Sequence, residues 1–171
     1  MSRTVKFFRA IASVCVFSLG ACTVPQPSPT GANRSPARSA RALKLVSWNM
    51  EFLAEKDGAG CEPRTRRDYA AMRGIVDQLK ADVIAFQEVE NEAAAARVFD
   101  PARYIIIMEA RRGAPSGTCG GRYPEQKVIR QAVGFAIRKG ISFERHTDVT
   151  SLMLGNEQLR SGVDITIKPQ G

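Results

Sequence analysis

The sequence contains few of the residues on which metal and nucleophile sites usually depend. It has one histidine, His146, and four cysteines among 171 residues. No second Cys or His stands at ligand spacing, which argues against a zinc site. His146 lies in "RHTD" and is best interpreted as a loop or hairpin residue. Neither G-x-G-x-x-G nor G-x-x-x-x-G-K-[ST] occurs, so a nucleotide-binding domain of those kinds has no support.

The N-terminal uncharged run, Ala10 to Ala21, is too short for a stable transmembrane anchor. Three basic residues precede it, which is typical of an export signal: Arg3, Lys6 and Arg9. The run closes with "LGAC", which resembles the lipobox of bacterial lipoproteins, where the signal is cut before a cysteine that then carries the lipid. We therefore expect residues 1–21 to be a lipoprotein signal peptide and Cys22 to be lipidated on the periplasmic face of a bacterial membrane. Ordinary cleavage into a soluble secreted protein is the alternative.

Residues 22–42 mix Pro, Ser, Ala and Arg without periodic apolar positions, which predicts a flexible tether. The folded domain is therefore expected to begin at Leu43. The formal net charge is +8, but six of the 25 basic residues and none of the 17 acidic ones precede Leu43. Most of the excess thus belongs to the signal and tether, where it serves insertion and contact with anionic headgroups. Charge alone gives little support to nucleic-acid binding.

The pattern after Leu43 is that of an α/β domain. Residues 43–48 read as a buried strand, and Thr65 with Asp68 resembles a capping box at the start of a helix. That helix carries apolar residues at helical spacing: Tyr69, Met72, Val76 and Leu79. "ADVIAFQE" is a second strand, predicted to run parallel to the first because a helix connects the two.

Further elements follow along the chain. Asn91 can cap a short helix, and "RYIIIME" is a third strand. "KVIRQAVGFAIRKG" and "ISFERHTDV" predict an antiparallel pair that turns at Lys139-Gly140. The last strand, "SGVDITI", is followed by a turn signal and by no returning strand, so its edge is expected to lack a partner. We therefore expect residues 43–171 to be the first part of a larger domain.

Two cysteines fall within the domain, Cys61 and Cys119, and both lie in Gly-rich loops. In an oxidising compartment a disulfide between them is one expectation, and two free thiols are the other.

Polar residues end two of the predicted strands. Asn49 follows Trp48 at the end of the first, and Glu88 ends the second. In α/β proteins the carboxyl ends of neighbouring strands lie together, and carboxylate and amide oxygens are ligands that Mg²⁺ accepts. The plainer interpretation is that Asn49 bonds its neighbouring backbone in a turn and that Glu88 is a solvated strand end.

Three stretches together, "KLVSWNMEF", "YAAMRGIVDQLKADVIAFQEVE" and "QAVGFAIRKG", resemble the opening half of the endonuclease/exonuclease/phosphatase family. The resemblance implies a DNase I-like α/β sandwich whose first half is present and whose C-terminal half is missing. It implies that Asn49 and Glu88 are catalytic and that both belong to a site for Mg²⁺ or Mn²⁺, with Glu88 a direct metal ligand. Three further residues are implied to approach substrate phosphate: Gln131, Arg130 and Arg160.

By the same resemblance the chain is a metal-dependent phosphodiester hydrolase, with nucleic acid or another phosphodiester as substrate. The family's D-x-N motif does not occur after Glu88, S-D-H occurs nowhere, and His146 matches no family histidine. We therefore expect a truncated member that is weakly active or inactive as it stands, unless a second chain supplies the missing half. The alternative is a non-catalytic lipoprotein that binds a partner through its unpaired sheet edge.

Overall fold

The computed structural model describes residues 42–111 and 116–168. The predicted signal peptide, Cys22 and all but the last residue of the predicted tether lie outside this part of the chain. The elements are β1 (Leu45–Leu53), α1 (Arg66–Leu79), β2 (Val83–Val89), α2 (Glu92–Ala96), β3 (Tyr104–Met108), β4 (Ala132–Arg138), β5 (Phe143–Arg145), a 3₁₀ turn (Thr150–Met153) and β6 (Ile165–Ile167).

The central feature is a mixed four-stranded sheet in the order β1-β2-β4-β3. The first two strands are parallel, as predicted, because α1 carries the chain back between them. β4 runs antiparallel to both of its neighbours, β2 and β3. The domain is therefore mixed α/β. None of the helices within the described ranges is long and apolar enough to cross a membrane.

Helix α1 begins as the capping pattern predicted. The Asp68 carboxylate accepts hydrogen bonds from the Thr65 backbone N–H, at 2.7 Å, and from the Thr65 hydroxyl, at 2.8 Å. These bonds lower the pKa of Asp68, because they favour its charged form. Tyr69 and Val76 are buried on the face that meets the sheet. The helix ends at Lys80, whose left-handed backbone donates its N–H to the Val76 carbonyl.

The main core lies between the two helices and one face of the sheet. Phe86 stacks on Phe99 with ring centroids 5.4 Å apart, and Phe99 meets Tyr104 edge-on at 6.2 Å. Trp48 packs partly buried against this cluster. Residues of β1 alternate between the faces, so Asn49 is exposed on the opposite side from Trp48.

The opposite face of the sheet is covered at one end by a separate two-stranded sheet of β5 and β6. Ile165 and Ile167 of β6 pack with Phe143 of β5 against buried Val83 and Ile137. The second, smaller core therefore lies at the start of β2 and the end of β4.

The predicted pairing across the turn at Lys139-Gly140 is wrong. Both edges of β4 are occupied by β2 and β3, so the strand that follows the turn cannot pair with it. β5 instead pairs antiparallel with β6, with Glu144 opposite Thr166. β6 thus has one partner, and within the described residues its other edge pairs with no strand.

A disulfide joins Cys61, in the loop after β1, to Cys119, in the loop before β4, with 5.1 Å between their Cα atoms. It links two loops that are 58 residues apart in sequence. Next to it, the side chain of Ile129 lies 3.2 Å from where a Cβ on Gly60 would be. The two loops are therefore held together by a covalent bond and by direct packing.

Gly134 in β4 tests how tightly the sheet packs. A Cβ at this position would overlap the Ile107 carbonyl oxygen and lie 2.5 Å from Phe86 Cζ. We expect Gly134→Ala to lower the free energy of unfolding by about 3 kcal/mol, as overpacking does. The measurement is urea unfolding followed by circular dichroism. The matched control is Gly74→Ala in α1, where nothing lies within 4 Å of an added Cβ. That change should raise stability by about 0.5–1 kcal/mol, and equal effects of the two variants would contradict the packing described.

Removal of the disulfide should also destabilise the domain. Replacing both Cys61 and Cys119 by serine is expected to lower the free energy of unfolding by about 2–5 kcal/mol, because the closed loop restricts the unfolded chain. Urea unfolding with and without dithiothreitol measures this. The reductant should lower the stability of the wild type to that of the double variant and leave the variant unchanged. A wild type that is insensitive to reduction would show that the bond contributes nothing.

Candidate functional site at the ends of β1 and β2

The site begins where β1 and β2 lose their regular pairing. Asn49 pairs with Gln87, after which the register shifts on both strands. Glu88 has a φ of 62°, and on β1 the φ angles are 47° at Glu51 and 56° at Phe52. Such left-handed backbone is uncommon in residues other than glycine and changes the direction of the side chain that follows.

The bulge brings the Glu88 side chain to Asn49. Asn49 Nδ2 donates to Glu88 Oε1 at 3.1 Å, and Asn49 Oδ1 accepts from the Glu51 N–H at 2.9 Å. Asn49 therefore does both things that its sequence context suggested, because it stabilises a turn with one atom and contacts Glu88 with the other. Gln87 remains on the same face, where its Nε2 lies 3.4 Å from Ser47 Oγ.

Of the three residues predicted to approach phosphate, Arg160 lies beside Glu88 and Gln131 contacts Arg160. Arg160 Nη2 is 3.3 Å from Glu88 Oε1 and donates to Gln131 Oε1 at 2.7 Å. Arg160 Nε also donates to the Gln131 backbone carbonyl at 3.0 Å. The Arg160 side chain is 37% exposed and that of Glu88 is 18% exposed. Asn49, Glu88, Gln131 and Arg160 thus form one cluster, which we call the strand-end cluster.

Arg130, the third residue, lies elsewhere. Its Nη2 donates to the Glu109 backbone carbonyl at 3.0 Å, and its Nε is buried without a hydrogen-bond partner. Burial lowers the pKa of the Arg130 guanidinium, partly opposed by the nearby Glu109 charge. Because neighbouring residues of an extended chain point in opposite directions, Gln131 and Arg130 reach different groups.

Sequence reasoning missed a buried carboxylate that holds the segment carrying Arg160. Glu109 Oε2 accepts from the Ser161 N–H at 2.7 Å and from its hydroxyl at 2.8 Å. Arg111 Nη2 lies 3.3 Å from Glu109 Oε1, and Arg111 Nη1 donates to the Gln158 carbonyl at 2.5 Å. Residues on both sides of Arg160 are therefore fixed. Its sequence position could have pointed to Glu109, because Glu109 directly follows the apolar strand β3 much as Glu88 lies at the end of β2.

A second missed residue is Arg64, which stabilises the strained end of β1. Its guanidinium donates to the carbonyls of Met50 at 3.0 Å and Glu51 at 2.8 Å, and it also lies 3.4 Å from that of Phe52. These contacts satisfy carbonyls that the irregular backbone removes from the sheet ladder. No local sequence pattern points to this role, because Arg64 lies in a loop among several other arginines.

Gln131 separates two clefts. One, of about 430 Å³, is lined by Arg111, Val128, Gln131, Leu152, Gln158, Leu159 and Arg160. The other, of about 410 Å³, is bordered by Phe52, the Cys61–Cys119 disulfide and Tyr123. A larger depression of about 640 Å³ borders Arg145 and Asp148 but includes no residue of the strand-end cluster. Of the strand-end cluster, Gln131 and Arg160 line the first of these clefts and Gln131 alone lines the second.

The strand-end cluster offers few ligands to a magnesium ion. Glu88 is its one carboxylate, and no hydrogen bond within the described residues reaches Oε2. Nowhere in the described ranges do three His, Cys, Asp or Glu side chains come together to hold a metal. Mg²⁺ commonly uses one or two carboxylates and takes its other ligands from water and substrate phosphate, so Glu88 suits that role. The side-chain oxygen of Asn49, Oδ1, already accepts a hydrogen bond from the Glu51 N–H, so Glu88 is the stronger candidate for a metal ligand.

His146 lies away from this cluster, as its sequence context indicated. It follows β5, and its Nε2 is 2.8 Å from Thr166 Oγ1 of β6. Its backbone N–H also donates to the Asp164 carbonyl at 3.0 Å, so both contacts of His146 are with the segment of β6.

No protein-family model matches this chain, and no curated protein matches it. The functional interpretation therefore depends on the residues and their geometry.

Proposed function

We propose that the strand-end cluster is the phosphate-binding part of a metal-dependent phosphodiester hydrolase of the endonuclease/exonuclease/phosphatase kind. The described sheet would be the first half of its DNase I-like sandwich. The observation that carries the proposal is the position of Arg160, whose guanidinium is partly exposed and lies directly beside the Glu88 carboxylate. A phosphate there would meet a fixed cation and a metal-binding carboxylate at the ends of two parallel strands.

Each residue of the strand-end cluster has a separate role in this proposal. Arg160 binds a phosphate oxygen through charge-assisted hydrogen bonds. Gln131 orients Arg160 with both its side-chain and backbone oxygens. Glu88 holds Mg²⁺ or Mn²⁺, and Asn49 fixes the carboxylate by donating to the same oxygen, Oε1, that Arg160 contacts. The metal, when bound, would neutralise negative charge on the phosphate.

Hydrolysis by this chain alone is proposed to be weak. A positioned general base contributes roughly a hundredfold to ten-thousandfold in rate. Within the described residues, no group of three or more His, Cys, Asp or Glu side chains that could hold a metal comes together, and the imidazole of His146 contacts Thr166 of β6. A second chain that supplied such groups would increase the rate.

The disulfide supports export, because disulfides form and persist in oxidising compartments. We propose that the protein acts outside the cytoplasm and is held at a membrane through lipidated Cys22, where nucleic acid or another phosphodiester is its substrate.

The alternative function, binding of a protein partner through a sheet edge, is favoured by one observation. β6 pairs with β5 alone among the described strands, so an extended peptide could add to its outer edge. That edge is only three residues long. If light scattering shows a monomer and urea unfolds that monomer in one cooperative transition, the protein does not need this partner.

The test of the main proposal uses the full chain with bis-p-nitrophenyl phosphate and plasmid DNA across a Mg²⁺ titration. Glu88→Gln should abolish the metal dependence, because it removes the carboxylate charge. Arg160→Gln should weaken phosphate affinity about tenfold to a hundredfold, because a hydrogen bond between charged groups contributes a free energy of that size. Phosphate affinity is measured by calorimetry with inorganic phosphate, so the test remains informative if turnover is too slow to detect.

Two matched controls keep the charge changes comparable. Glu92→Gln and Arg66→Gln alter exposed residues at the starts of α2 and α1 that are not members of the strand-end cluster, and should leave metal dependence and phosphate affinity unchanged. If Glu88→Gln and Arg160→Gln behave like these controls, the cluster binds neither metal nor phosphate and the proposal is wrong.

A further inference from the structure

A cleft next to the strand-end cluster carries two half-buried aromatic side chains. It is the cleft of about 410 Å³ that is bordered by Phe52, Tyr123 and the disulfide, and we call it the aromatic cleft. Gln131 lines both this cleft and the neighbouring one that contains Arg160. Gln131 Oε1 also accepts a hydrogen bond from Arg160 Nη2 at 2.7 Å. A ligand in the aromatic cleft would therefore lie one side chain away from the proposed phosphate position.

Both aromatic side chains of the cleft belong to backbone that is held in place. The Tyr123 N–H donates to the Gly120 carbonyl at 3.1 Å, and the Tyr123 carbonyl accepts from the Gln126 N–H at 3.1 Å. The disulfide joins this loop to the loop that follows β1. Phe52 is held through its carbonyl oxygen, which lies 3.4 Å from Arg64 Nη1. The aromatic cleft is therefore preformed.

The lining of the aromatic cleft suits a planar ring with polar edges. Its two charged side chains, Glu62 and Arg122, have opposite signs, so the lining itself selects no anion. The Arg122 guanidinium lies over the Tyr123 ring, 5.5 Å from the ring centroid. Proteins bind nucleobases by stacking them on aromatic rings and by hydrogen bonds from arginine and carboxylate side chains to the base edges. The aromatic cleft supplies each of these groups.

The aromatic cleft differs from a surface that another part of a protein would cover. Seven large apolar side chains are exposed among the described residues, and none of them lines this cleft. Surfaces that pack against protein or lipid usually expose contiguous apolar side chains. A small ligand with a flat face and polar edges therefore fits the aromatic cleft better than a protein segment or an acyl chain does.

We infer that the aromatic cleft binds the base of a nucleotide while Arg160 binds the phosphate attached to that nucleotide. The phosphate position rests on the proposed function, whereas the base position rests on the cleft alone. Tyr123 provides the stacking face, and Glu62 and Arg122 meet the donors and acceptors at the edge of the base. The substrate class is then a nucleotide phosphodiester, because an acyl chain has no flat face to stack on Tyr123.

Tryptophan fluorescence of the full chain tests the base position. Trp48 is the only tryptophan, so Trp48→Phe gives a silent background. Tyr123→Trp in that background places an indole in the wall of the aromatic cleft, where a stacked base quenches its fluorescence. Leu45→Trp is the control for collisional quenching, because Leu45 is 66% exposed and lies on β1 outside the cleft. Adenosine and adenosine 5′-monophosphate should quench only the first variant in a saturable way, and ribose 5-phosphate should quench neither.

Calorimetry on the chain with Trp48 intact measures what the base adds to binding. Adenosine 5′-monophosphate should bind about tenfold more tightly than ribose 5-phosphate, because stacking of one base on an aromatic side chain contributes a free energy of that size. Tyr123→Leu should remove this difference, and Tyr123→Phe, which retains the ring, should keep it. Arg160→Gln should weaken binding of both ligands by the same factor.

Three results would overturn the inference. They are equal affinity for the two ligands, a tenfold difference that persists in Tyr123→Leu, and equal quenching of the two tryptophan variants. Adenosine carries no phosphate, so its binding does not depend on Arg160. Saturable quenching by adenosine without affinity for inorganic phosphate would retain the base site and reject the proposed function. Affinity for inorganic phosphate without quenching would reject the base site alone, so the two failures are distinguishable.

Discussion

The backbone bulge at Glu88 is the constraint on which the arrangement of the site depends. In a regular strand, Gln87 and Glu88 would point to opposite faces of the sheet. Here Gln87 reaches Ser47 while Glu88 reaches Asn49, because the chain takes up left-handed backbone at Glu88. Such a conformation costs about 1–3 kcal/mol and persists only where surrounding contacts enforce it. On β1, Arg64 supplies such contacts by binding the carbonyls beside Asn49.

Sheet topology explains why residues far apart in sequence arrive at this bulge. β4 is antiparallel to β2 and β3, so its beginning lies where both neighbours end. Gln131, just before β4, therefore contacts Arg160 beside Glu88, and Arg130 reaches Glu109 at the end of β3. The end of β3 continues into Glu109, which must have strong partners because a buried unpaired carboxylate is very unfavourable. Its partner Ser161 directly follows Arg160, so a buried polar contact fixes the position of an exposed cation.

Local patterns predicted the first three strands, the capped helix and the meeting of Asn49 with Glu88, because each depends on neighbouring residues or on parallel strand ends. The pairing of β4 and β5 was wrong, since periodicity identifies a strand without identifying its partner. Arg130 and Arg160 could not be distinguished, because both are arginines beside a predicted strand. The contact between Glu109 and Ser161 spans 52 residues, so no local pattern reports it.

If the strand-end cluster binds metal and phosphate as proposed, the pair formed by Arg160 and Glu88 would make their binding cooperative. Glu88 Oε1 already receives Asn49 at 3.1 Å and Arg160 at 3.3 Å, so a metal at this carboxylate would lie close to a guanidinium. The two positive charges repel each other unless a negative group lies between them. A phosphate relieves that repulsion by binding both, and the metal in turn strengthens binding of phosphate by the same factor. The ion pair thus keeps the site satisfied when empty and favours simultaneous occupation by both ligands.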